Sequence, residues 1–226
     1  MFFKKRDIDL HCYTYSTAAA DIFPISKTAH ARLKTANTEL KYCTGLQNLY
    51  KYGAVMPLWT DIKFKLWEIN NPRWECFSAD QTTAVTTHQN HQFGKVIDVN
   101  KYQNFKIESV WLFKCDEDIK FHSSPLSWSF EKFPEDIRIL DGISDFKYQH
   151  STNFIFLSKK ENSVKEFTLN CGTPLLQFLP LSERRLKIHV HLLSREKWRQ
   201  KIELSKRISF LNNYAQVKKF MSQVKK

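Results

Sequence analysis

Glycine is scarce in this chain: five in 226 residues, beside eighteen phenylalanines and six tryptophans. So little glycine leaves few positions for left-handed turns and no glycine-rich phosphate cradle. No apolar run approaches the ~18 residues that a membrane-spanning helix needs, so no membrane association is expected. The opening "MFFKKRDIDL" has basic residues without a following apolar region, which argues against a secretory signal. Five cysteines (Cys12, Cys43, Cys76, Cys115, Cys171) never form a C-x-x-C pair. Their odd number and wide spacing argue for reduced thiols in a cytosolic setting. A Walker-type loop, a G-x-S-x-G elbow and a supported Cys–His pair are all missing.

What the chain has is bulk and an uneven charge. Hydrophobic residues make up 42%, enough for a real core. The net charge is +12, and residues 184–226 hold thirteen Lys or Arg against two Glu, or +11. The remaining body is nearly neutral. A basic tail on a neutral body reads either as a solvated helix face or as an arm that docks on an acidic protein or nucleic acid.

Periodicity supplies the element order. "IDLHCYTYS" alternates as a half-buried strand, with Ile8, Leu10 and Cys12 on one side. Residues 26–53 are helical in composition and stop at Gly53. "IKFKLW" alternates again, entered through a Pro57 turn, and "RWECFSA" follows as a short strand. Residues 79–104 form a polar excursion. Strands are then expected at 105–115, 119–130, 140–157, 166–181 and 186–193. From Ser194, a plausible N-cap, the period becomes helical, with Trp198, Ile202, Ile208 or Leu211, and Phe220 at helical spacings and "LNNY" as a break between two helices. The fold class is α+β, mainly β. The expected organisation is a core domain over 1–193 with a helical insertion at about 26–53, then a basic helical tail over 194–226, packed on or extending from the core.

The segment "LDGISDFKYQHSTNFIFL" with the later "CGTPLLQFLPL" resembles the trimeric dUTPase (β-clip) family over about residues 139–182. Gly142, Ile143, Asp145 and Tyr148 stand at the positions of its "G-V-I-D-x-D-Y" segment. Gly172, Leu175 and Gln177 match its "G-D-R-I-A-Q" segment, with Leu176 in place of alanine. The resemblance implies a β-clip/β-barrel core. For an enzyme it implies that Asp145 activates water and contacts the sugar, that Tyr148 packs under the deoxyribose, that Gln177 completes the site, and that substrate phosphates recruit Mg²⁺. Ser144 and Lys147 depart from the pattern. "FHSSPLSW" offers Ser123, Ser124 and Ser127 but no phosphate-binding arginine, and a lysine-rich helix stands where the family has a glycine-rich arm. Phosphoryl transfer depends on such charge neutralisation, so the resemblance implies fold more than reaction. Over its whole length the chain is similar to a family of uncharacterised proteins encoded by large tailed phages of marine cyanobacteria, which implies a host-cytoplasmic or virion setting.

Other candidates are thinner. His189 and His191 face one way on a strand and Glu196 follows, in the order of a cupin metal motif, but no later strand supplies a third histidine. His88 and His91 have only Cys76 and His122 as imaginable complements. Asp116, Glu117 and Asp118 lack calcium-loop spacing. Trp59, Trp67, Trp74, Trp111 and Trp128 lie in the neutral body and read as core.

The expected function is therefore a phage-encoded, non-enzymatic structural or interaction protein. It would dock on an acidic partner through Arg195, Lys197, Arg199, Lys201, Lys206, Arg207, Lys218 and Lys219, with other phage proteins or a second copy as candidates. A nucleotide pyrophosphatase and a nucleic-acid-binding module are the alternatives. No cofactor is expected outside the pyrophosphatase reading.

Overall fold

Alternating and continuous apolar tracts meet in one core, and phenylalanine joins them. The computed structural model describes residues 6–17, 19, 22–24, 44–45, 51–67, 73–78, 83, 85–87, 97–126, 137–148, 150–160 and 165–224. Fourteen strands are assigned among them, followed by a single long helix, α1 (Arg195–Val224).

The largest sheet runs in the order β14 (Leu186–Leu192), β1 (Ile8–Thr14), β7 (Tyr102–Lys114), β11 (His150–Lys159), β9 (Ile137–Ile139), with β6 (Val85–Thr86) also on β7. A second sheet runs β10 (Gly142–Asp145), β8 (Lys120–Ser124), β13 (Pro174–Pro180), β3 (Ala54–Pro57), β2 (Phe23–Pro24). The third joins β12 (Lys165–Leu169), β4 (Ile62–Trp67) and β5 (Arg73–Ser78).

Alternation on β1 puts Ile8, Leu10, Cys12 and Thr14 inside and leaves Asp9, His11 and Tyr13 on the outer face. On β7, Phe105, Ile107, Trp111 and Phe113 are buried. Phe113 stacks obliquely on Phe146 and Phe178 of the second sheet's side, with centroids 5.1 and 5.0 Å away. Phe64 of β4 meets Phe105 and Phe156 edge-on at 5.7 and 5.2 Å. One inner face thus serves two opposing sheets, and edge-to-face rings suit that junction. Val110 and Leu112 are also buried although they point outward, because α1 lies on that face: Trp198 donates its indole N–H to the Val110 carbonyl at 3.0 Å and meets Tyr15 edge-on.

Several expectations change. The described strands form three open sheets rather than a closed barrel, because faces laid against a shared core remove apolar surface from water without closing a strand ladder. Pro57 ends a strand of its own, β3, opposite Pro174, where neither ring needs an N–H to offer. Leu211–Tyr214 does not divide the tail: α1 runs through it, since two asparagines cost only tenths of a kcal/mol each and no Pro or Gly interrupts the ladder. Most of the 26–53 helical insertion, His88, His91, Ser127 and Trp128 lie outside the described residues, as do the side chains of Trp67 and Trp74. Trp59 and Trp111 are core, as expected. Cys12, Cys76, Cys115 and Cys171 are free thiols, and burial raises the first three, Cys76 to about 11.

Gly172 sits at the third position of the turn Asn170–Thr173, which the Thr173 N–H closes on the Asn170 carbonyl at 3.1 Å. Its φ of +84° is the type II turn value. A Cβ there would meet no atom within 4 Å. The penalty for Gly172→Ala is therefore conformational alone. Chemical denaturation should show a loss of about 1–2 kcal/mol, and no loss would mean the turn relaxes.

Candidate functional site

Asp145 closes β10, and the chain turns at once into a 3-10 segment, Phe146–Tyr148. One carboxylate oxygen accepts the Lys147 N–H at 3.0 Å, and the other pairs with Lys120. That is a turn-capping role. Phe146, next in sequence, is fully buried. Gln177 is buried on β13, where its amide donates to Ser124 Oγ at 2.9 Å. Register places Asp145 opposite Lys120 and Gln177 opposite Ser124 on the intervening β8. Four residues of strand, ~13 Å at 3.3 Å per residue, separate them along that strand alone. The two dUTPase-like positions therefore do not converge, and the Tyr148 side chain lies outside the described residues.

A different group of residues does converge. β14 pairs with β1 in parallel, setting His189 against His11 and His191 against Tyr13. Both histidines of β14 face one way, as their spacing requires, and the third imidazole comes from β1 rather than from a later strand. His11 Nδ1 lies 3.0 Å from His191 Nε2. His189 stacks on His11 at 4.8 Å, and Tyr13 stacks on His191 at 4.7 Å. His189 Nε2 contacts the Asp9 carboxylate at 2.7 Å, which lowers the Asp9 pKa chiefly through that hydrogen bond. At the other end the Lys201 ammonium of α1 sits 4.7 Å from the Tyr13 ring centre. A continuous row thus runs along the outer sheet face from the basic helix to Asp9.

Beyond Asp9 the row opens into a cleft of about 540 Å³ lined by Arg6, Asp9, His11, Asp116, Glu117 and Arg184. Its carboxylates are engaged. Glu117 accepts from Arg184 Nη2 at 2.8 Å and Asp116 pairs with Lys114 at 2.7 Å, hydrogen bonds that hold both acids below the usual carboxylate range. Arg184 also donates to the Asp7 carbonyl at 3.0 Å, stitching the start of β14 to the start of β1. Desolvation, followed by the neighbouring His189 and His191, lowers the pKa of His11. His189 lies stacked on His11 with planes 23° apart, whereas His191 meets His11 edge to edge through the nitrogen contact, its ring tilted by 32°. Among the described residues no group of three or more His, Cys, Asp or Glu is gathered to hold a metal ion.

The basic residues of the tail fall on α1. Arg195, Lys197, Arg199, Lys206 and Arg207 are exposed, while Lys201 is half-buried against Tyr13. Lys197, Arg199, Lys206 and Arg207 make no ion pair among the described residues. Lys218 and Lys219 lie on the helix, but their side chains are outside the described set, as is that of Phe220. Trp198 and the buried Ser205 mark the face turned to the body. Leu204 and Leu211, seven residues apart and so on one stripe, are 55% and 64% exposed. Leu211, named with Ile208 among the helically spaced apolar residues, is turned to solvent, and Leu204 is not in that set. The full spacing L-x₆-L between basic residues is the signal that marks them.

No protein-family model, no curated protein and no solved structure matches the chain.

Proposed function

We propose that the chain is a non-enzymatic interaction protein that uses its β body to present α1 to an acidic protein partner. The observation that carries this reading is the composition of the exposed stripe: Lys197, Leu204, Arg207 and Leu211 stand together on the outward side of α1. Cations alone suit any polyanion, but exposed leucines gain nothing from phosphates, whereas apolar contacts within a polar rim are how protein interfaces hold. A partner among phage or virion proteins is inferred from the resemblance read in the sequence alone. The strand–turn–strand order around Asp145 and Gly172 supports descent of the body from a dUTPase-like β-clip core. The pyrophosphatase alternative draws no support from the separated positions of Asp145 and Gln177.

The test uses three probes of defined chemistry: an amphipathic Glu/Leu helical peptide, poly-glutamate and a short DNA duplex. The peptide should bind most tightly. All binding should weaken steeply with salt, as the Debye length falls from ~10 Å at 0.1 M to about 3 Å at 1 M. Tightest binding to DNA, with a log–log salt slope of roughly 0.9 per phosphate contacted, would instead establish the nucleic-acid alternative. Salt-independent binding to every probe would refute the electrostatic arm.

A further inference from the structure

We propose that His11 and His191 form a proton-operated catch on the β1–β14 pairing, holding the root of α1 at neutral pH and releasing it in acid.

The argument starts from hydrogen counting. A 3.0 Å contact between Nδ1 of one imidazole and Nε2 of another is a hydrogen bond only while one nitrogen carries the proton and the other accepts it. The first proton goes to the free nitrogen of the donating ring and keeps the bond, now from imidazolium to imidazole. A second proton, on the accepting nitrogen, leaves two N–H groups and two like charges facing each other, and the bond is lost.

Neighbouring carboxylates offset that charge only in part. On β1 and β14, Asp9 is engaged by His189, and Lys187 stands opposite Asp9 in the register. From β7, Lys114 stands opposite His11 and is paired to Asp116 in the turn that follows. Glu117 is held by Arg184, Arg6 lies 3.5 Å from Asp9, and α1 contributes Lys201. Every carboxylate facing the cluster already has a cationic or imidazole partner, so the attraction of Asp116 and Asp9 for charge on His11 is outweighed by burial and by the neighbouring imidazoles. Burial of His11, which disfavours its charged form, acts in the same direction. Stability contributed by the neutral pair is present above the ordinary imidazole pKa and falls as pH drops below it.

Topology carries that local repulsion to the root of the helix. β14 is an edge strand, and among the described residues β1 is its only ladder partner. Leu193 bonds back to Thr14, and α1 begins two residues later at Arg195. Loosening the β14 edge therefore frees the root of α1 without unpairing the other sheets, while Trp198 still ties the helix to Val110 of β7. The consequence for docking rests on the reading of α1 given above; the catch itself does not.

The experiment is amide hydrogen exchange of the full chain at about pH 7.5 and about pH 5, with chelator present and rates corrected for the chemical pH dependence. Protection of Ile188–Leu192 and Leu10–Thr14 should fall by about tenfold or more at the lower pH, the scale of one lost half-buried hydrogen bond plus like-charge repulsion. Protection in β4 and β5 should hold. His11→Gln and His191→Gln should each flatten the response. If either variant fails to fold, the wild-type exchange pattern and the imidazole C2–H titrations still decide. Equal protection at both pH values, or uniform loss across all three sheets, overturns the catch. Binding of the Glu/Leu peptide at neutral pH is scored separately. Its absence with local release intact refutes the docking reading alone, and its presence with unchanged β14 protection refutes the catch alone.

Discussion

Phe146→Ala should lower the unfolding free energy by about 3–5 kcal/mol, the range for truncating a fully buried phenylalanine. The ring is 0% exposed and lies between two sheets, with centroids 4.8 Å from Phe121, 5.1 Å from Phe113 and 5.6 Å from Phe178. Three rigid aromatic neighbours cannot collapse into the space left behind, so the cavity term should be near its upper limit. Phe146→Leu keeps most of the volume and should lose less than half as much. Asp145→Asn, one residue away, should change stability by about 1 kcal/mol or less, because its Lys120 partner is half exposed. It should leave dUTP turnover at the background level expected of the unsubstituted protein. Denaturant titration reads the first three effects, and a phosphate-release assay reads the last. A large catalytic loss in Asp145→Asn, from a measurable starting rate, would restore the enzyme reading. A small loss in Phe146→Ala would mean that the two sheets meet elsewhere.

The second large effect concerns binding. Replacing Arg195, Lys197, Arg199, Lys206 and Arg207 together by glutamine should weaken binding to the Glu/Leu peptide by about a hundredfold or more at low salt, taking roughly 0.5–1 kcal/mol for each rim charge. Stability should hardly change, since all five are exposed and glutamine is a good helix former. Leu204→Ser with Leu211→Ser separates the two classes of partner. Peptide binding should fall by about tenfold or more, because two exposed leucines lose their apolar contacts, while weak binding to DNA should be unmoved. Should the leucine pair have no effect on the peptide, α1 acts through charge alone and the protein-partner reading fails. Circular dichroism and melting keep the comparison fair by showing that α1 persists in each variant.

Much of this molecule was legible locally. Alternation in "IDLHCYT" assigned the buried and outer faces of β1, and the two-residue spacing of His189 and His191 assigned them a common side. The switch from period two to helical period at Ser194 located α1, and charge counting located its basic character. These signals depend on the geometry of a single element, which neighbouring residues carry in full. The turn around Asp145 was placed correctly, but the meaning of its residues was not. A carboxylate that caps a turn and one that activates water leave the same letter, and only register showed Gln177 to be four positions away along β8.

What tertiary structure alone decided is the meeting of β1 and β14. His11 and His191 are 180 positions apart, and a parallel edge pairing across that distance leaves no local periodic trace in either segment. Each strand by itself is satisfied by any neighbour of matching polarity. The choice came from the shared core, which seats β1 beside β7 and leaves one open edge for the last strand to fill. That choice put three imidazoles, Asp9 and Lys201 in one row. Sequence determined which face each residue would take, because side-chain direction is a property of the strand. Packing determined which faces would meet, because burial rewards the whole assembly and no single segment.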